Sequence, residues 1–175
     1  AMLLLTFGGS DPQGLTVRAE QALAGLPAEV ELVAVTGPAF SHGEELQAAR
    51  SALPRPLRLV SEASGAHIAD LMLEADLVLC SGGMTVYEIA ALGTPGLVLA
   101  QNAREDARMR AFARHGTIEY LGLGSEVPEA ELGAAALRLL GDAARRGEMS
   151  ARGRALVDGL GAARAAEVVL ANARS

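Results

Sequence analysis

Leu77-Val78-Leu79-Cys80-Ser81-Gly82-Gly83-Met84-Thr85-Val86-Tyr87-Glu88-Ile89 passes from four consecutive apolar residues through a glycine pair into a helix-forming stretch. An apolar run without polar alternation predicts a strand covered on both faces, as in a parallel sheet packed between helices. Gly82 and Gly83 carry no Cβ, so the chain can turn sharply there and a ligand can approach the N–H groups that open the next helix. Those groups lack intrahelical acceptors and lie at the positive end of the helix dipole, which suits them to phosphate. Thr85 and Glu88 stand one helical turn apart, and two readings of the pair are open. In one they form a capping box and satisfy each other's backbone donors. In the other the turn and Thr85 hold a diphosphate while Glu88 accepts from the ribose hydroxyls of the same nucleotide.

Working outward, the same strand, glycine turn and helix occur once more near the start. Met2 to Phe7 is apolar, Gly8-Gly9-Ser10-Asp11-Pro12-Gln13-Gly14 follows, and Leu15, Ala19, Ala22, Leu23 and Leu26 then recur at helical spacing. A strand that begins almost at the first residue leads us to expect a domain cut from something longer. Further strands are expected at Val30 to Val35, Leu57 to Val60, Gly96 to Ala100 and Thr117 to Leu121. Helices are expected at Glu45 to Leu53, Ala66 to Ala75, Arg104 to Arg114, Glu129 to Leu140, Arg145 to Leu156 and Ala162 to Ala173. Pro54-Arg55-Pro56 ends the first of these helices and Gly116 the third, while Pro128 opens the fourth. Ile68, Leu71, Met72 and Ala75 face the core, and Ala162, Ala165, Ala166, Val169, Leu170 and Ala173 form the stripe of the last helix. The alternation predicts a doubly wound α/β domain over residues 1–175 with a mostly parallel, Rossmann-like sheet. Ligands bind such sheets outside the carboxyl ends of the strands, so Ser10 and Thr85 are expected to face one crevice.

Composition narrows the chemistry. A net charge of −6 leaves no basic footprint for nucleic acid. The apolar runs are far shorter than the roughly 20 residues of a membrane-crossing helix. All 15 basic residues are arginine, which excludes a Walker A lysine, Schiff-base chemistry and pyridoxal phosphate attachment. Cys80 is the single cysteine, so no intramolecular disulfide or cysteine-based metal cluster is available, and a cytoplasmic setting is the default expectation. His42, His67 and His115 are scattered, and no metal site or bound cofactor is expected. Gly8-Gly9-Ser10-Asp11-Pro12 lacks the final glycine of a hydrolase nucleophile elbow. Arg104, Arg108, Arg110 and Arg114 read as a solvated helix face, with a phosphate contact by one of them as the other reading. Asp106 stands in a first helical turn, where it compensates the dipole or meets ligand. Gln101 and Asn102 follow a buried strand directly, where amides can reach sugar hydroxyls.

Phe7-Gly8-Gly9-Ser10-Asp11-Pro12 with Leu15-Thr16 resembles the UDP-sugar hydrolases of pseudaminic acid synthesis and the related spore-coat polysaccharide proteins. Ser81 to Glu88 is similar to the matching segment there and in the murein N-acetylglucosaminyltransferase, and Asp158 to Arg164 resembles the hydrolases' closing segment. The resemblance implies one half of a GT-B fold, the C-terminal half that binds the UDP-sugar donor. It implies diphosphate contacts at Gly9, Ser10, Gly82, Gly83, Met84 and Thr85, ribose at Glu88, and sugar at Gln101, Asn102 and Asp106. Uracil would meet backbone near Ile68, Leu71 and Met72, with no bound metal. The acceptor or water site and the catalytic base would lie in an N-terminal half, supplied as a domain or as a partner subunit.

Overall fold

The computed structural model describes residues 1–52 and 56–173. The helix end expected at Leu53 and the turn residues Pro54 and Arg55 lie outside them. The chain runs β1 (Met2–Thr6), α1 (Leu15–Ala22), β2 (Glu31–Thr36), α2 (Gly43–Ala52), β3 (Leu57–Ser61), α3 (Gly65–Glu74) and β4 (Leu77–Ser81). It continues through α4 (Thr85–Leu92), β5 (Gly96–Ala100), α5 (Ala103–Phe112), a 3₁₀ turn (Ala113–His115), β6 (Ile118–Leu123), α6 (Glu129–Gly141), α7 (Ala143–Leu156) and α8 (Gly161–Asn172).

The strands form one six-stranded sheet in the order β3-β2-β1-β4-β5-β6, and every pairing is parallel. The apolar runs explain why. Successive side chains on a strand point to opposite faces, and here both faces are covered. Leu3, Leu5, Leu77, Leu79, Leu97 and Leu99 pack with α1 and α6 on one side, whereas Leu4, Val78, Cys80 and Val98 pack with α3, α4 and α5 on the other. β2 lies on one flank of β1 and β4 on the other, so the order reverses there and a crevice opens at their carboxyl ends.

Local signals hold at most boundaries. Gly93 and Gly116 end α4 and the 3₁₀ turn in the left-handed conformation, at φ 76° and 71°. β6 runs two residues past its expected end, because Gly122 at φ 129° carries the strand through a bulge opposite Val98 and Leu99. Helix α7 crosses α4 closely: a Cβ on Gly153 would lie 2.7 Å from the Ala90 carbonyl oxygen.

The last helix departs from a core role. Its apolar stripe forms, yet no residue of α8 is buried, and Val169 and Leu170 stay 66% and 57% exposed. Below about 12–15 residues a helix gains little stability without packing, so α8 adds little to the domain that carries it. A chain ended after Val157 is expected to keep its thermal unfolding free energy within about 0.5 kcal/mol, as read by circular dichroism melts; a larger loss would show that α8 is held by the domain.

Candidate functional site

The two glycine turns lie side by side on the sheet and end differently. After β1, Gly8 takes φ 85° and Asp11 takes φ 41°. That brings the buried Asp11 carboxylate onto the start of α1, where it accepts from the Leu15 and Thr16 N–H groups at 2.9 and 2.8 Å. The positive end of α1 is thus neutralised from within the chain.

After β4 no such closure exists. Met84 precedes α4 with φ −68° and ψ −26°, already helical, and no side chain caps the helix. A capping residue needs an extended backbone to turn its oxygen onto the N–H groups; with Met84 helical, Thr85 is the first helical residue and cannot do so. The capping-box reading of Thr85 and Glu88 is therefore corrected. The box pattern is used instead at α5, where Asn102 accepts from the Glu105 N–H at 3.0 Å and the Glu105 carboxylate accepts from the Gln101 N–H at 2.9 Å. Neither Gly82 nor Gly83 is left-handed. Gly82 is needed because α5 packs on it: a Cβ there would lie 2.6 Å from Met109. The Arg108 guanidinium donates to the Gly82 carbonyl, so α5 grips the turn from outside.

Between α3 and α4, over the carboxyl ends of β1 and β2, lies a cleft of about 470 Å³. Gly9, Ile68, Met72, Thr85 and Glu88 line it together, with Thr6, Gly8, Thr36, Gly37, Pro38 and Glu62. Glu88 is exposed, and among the described residues nothing donates to its carboxylate. Ser10 is exposed beside Gly9, Gly83 is half-buried and Met84 is exposed, all three outside this lining, and Leu71 is buried in the core. Gln101, Asn102 and Asp106 stand apart at the start of α5. The Gln101 amide donates to the Phe7 carbonyl at 2.8 Å, and Asp106 accepts from the Tyr120 hydroxyl at 2.6 Å and from Arg110 at 3.0 Å. Those two partners, Tyr120 first, hold the Asp106 carboxyl below the usual carboxylate range.

Sequence reasoning missed Thr36, Gly37 and Glu62. Gly37 had a signal, the Gly37-Pro38 stop after a buried strand; Glu62 had none. Cys80 is buried, and burial pushes its thiol pKa up, which suits a core hydrophobe. Among the described residues no cluster of His, Cys, Asp or Glu has the makings of a metal site, and no helix is long and apolar enough to cross a membrane.

The spore coat polysaccharide biosynthesis protein SpsG of Bacillus subtilis (strain 168) is 30% identical over 169 residues, 95% of this chain. MurG of Acinetobacter baumannii superposes on 96% of the chain with a TM-score of 0.77 at 21% identity. This chain has the fold of one half of a GT-B glycosyltransferase. The spinosyn rhamnosyltransferase SpnG, solved with thymidine diphosphate, matches the GT-B half over 88% of its length with a TM-score of 0.66 at 25% identity. The chain spans 49% of SpsG, 49% of MurG and 41% of SpnG, so each of these proteins is about twice as long. No protein-family model matches the chain.

Proposed function

We propose that this GT-B half binds the donor of a UDP-sugar enzyme of surface polysaccharide synthesis, a glycosyltransferase or UDP-sugar hydrolase that cleaves the anomeric C–O–P linkage and releases UDP. The observation that carries the reading is the contrast between the two helix starts on one crevice: Asp11 closes α1, while α4 is uncapped and opens onto a cleft lined by Thr85 and Glu88. In this reading the diphosphate lies on the α4 N–H groups and the Thr85 hydroxyl, which supply positive potential and donors without a metal ion. Glu88, one turn along, accepts from the ribose hydroxyls. Gln101, Asn102 and Asp106 border the sugar, close to where α5 supports the turn. The nucleotide seen with SpnG is also a pyrimidine nucleoside diphosphate.

The catalytic base and the acceptor site belong to a second half, a domain or a separate chain. The uncovered stripe of α8 supports this part of the reading, because apolar surface of that kind is normally buried against something. A separate chain would make this one a donor-binding subunit, inactive by itself.

Calorimetric titration with UDP, CDP, ADP and UMP tests the site. UDP is expected to bind with a dissociation constant on the order of 10 μM to 1 mM. Glu88→Ala should weaken it about tenfold or more, the loss of charge-assisted hydrogen bonds. Absence of nucleotide binding at millimolar concentration, or an unchanged affinity in Glu88→Ala, would sink the assignment.

A further inference from the structure

Two residues other than glycine are left-handed among the described residues, Asp11 at φ 41° and Glu62 at φ 55°. A side chain held in that region stores strain, and such strain collects at ligand sites. For Asp11 the compensation is visible, since its carboxylate closes α1. For Glu62 only the backbone is held, its N–H donating to the Thr36 carbonyl at 3.1 Å. Its carboxylate is exposed and meets no donor among the described residues. Arg50 borders a neighbouring cavity of about 230 Å³ that Glu62 also lines, yet no ion pair joins the two.

What Glu62 does is line the cleft, at the end farthest from the α4 turn. β3 stands three strand spacings from β4, about 14 Å across the sheet. With phosphates at Thr85 and ribose at Glu88, the base of a bound nucleotide extends toward that end. Pro38, Ala63 and Ile68 offer apolar surface to its faces, and Glu62 is the charged acceptor.

We propose that Glu62 determines base specificity by accepting the ring N3–H of a uracil-type imide. This rests on the nucleotide reading of the cleft. A carboxylate has acceptors only, so it holds a ring N–H. Cytosine presents a lone pair at the same ring nitrogen and is repelled, which is discrimination by an unfavourable contact.

The experiment titrates the wild-type chain, Glu62→Gly and Glu62→Gln with UDP, CDP and UDP methylated at the uracil N3. The wild type is expected to prefer UDP over the methylated analogue about ten- to hundredfold, the range for a hydrogen bond to a charged group. Glu62→Gly should bind both equally, while its melting temperature rises because glycine relieves the left-handed strain. Glu62→Gln keeps an amide oxygen as acceptor and should retain the preference. A higher melting temperature with discrimination intact overturns the proposal, leaving Glu62 as strained backbone only. Glu88-dependent UDP binding that ignores N3 methylation also overturns it while sparing the nucleotide reading; a wild type that binds no nucleoside diphosphate overturns both.

Discussion

Gly37→Ala is expected to destabilise the domain by about 2–3 kcal/mol, the upper range for overpacking, and to abolish measurable nucleotide binding. A Cβ on Gly37 would lie 2.5 Å from the Gly9 carbonyl oxygen, with the Gly9 backbone behind it. Neither partner is a flexible side chain tip, so the β1–α1 and β2–α2 loops must move apart. The same loops are joined by the Ala39 N–H donating to the Gly9 carbonyl at 3.2 Å, and Gly9 and Gly37 both line the cleft. Separating them therefore costs a backbone hydrogen bond and deforms the wall against which a nucleotide would lie. Gly43→Ala is the control. Gly43 sits in α2 with nothing near its missing Cβ, and alanine there should be neutral or stabilising by up to about 1 kcal/mol. Urea unfolding and UDP titration of both variants check the pair, and equal behaviour would show that the loops yield freely.

Glu20→Met is expected to stabilise the fold, and increasingly so as pH rises. Glu20 is fully buried on α1, neither carboxylate oxygen has a hydrogen-bond partner among the described residues, and burial pushes its pKa up to about 7 from 4.5, with Arg50 on α2 opposing only in part. Below pH 4.5 the group is protonated in both states and contributes no pH dependence. Between about 4.5 and 7 the unfolded chain releases the proton while the folded chain keeps it, so the unfolded state binds fewer protons and stability falls with rising pH. Above 7 the full penalty applies, on the order of 3 kcal/mol. Methionine fills a similar volume without polar atoms, so the variant's stability should vary less across this window and exceed wild type most clearly near pH 8. Urea unfolding from pH 4 to 8 decides it; wild-type stability that holds level or rises from pH 5 to 8 would show that Glu20 is solvated or paired in the folded state.

The order of strands and helices was legible because its signals are local. Leu77 to Cys80 and Gly96 to Ala100, short apolar runs bounded by turn residues, fit strands covered on both faces, and Gly93, Gly116 and Pro128 punctuate helices through their own backbone preferences. The α8 stripe was legible too, but periodicity states that a face is apolar and says nothing about what covers it. The pairing of Thr85 with Glu88 left two readings open for a related reason: Asn102 and Glu105 carry the same pattern, and only the conformation of the residue at the helix entrance, extended at Asn102 and helical at Met84, separates a capped helix from an open one.

By itself the sequence determined the α/β alternation, the parallel character of a sheet buried on both faces, and the candidacy of two glycine turns at its carboxyl edge. The tertiary structure decided that Asp11 occupies one turn and leaves the other open, that Gly9 meets Gly37, that Glu62 and Glu88 line one cleft, and that Glu20 is buried without a partner. Each of these depends on segments distant in the chain meeting, or on a φ angle that the surrounding fold imposes. Hydrophobic period and turn chemistry report the nearest few residues, whereas contacts between loops are set by how whole layers pack.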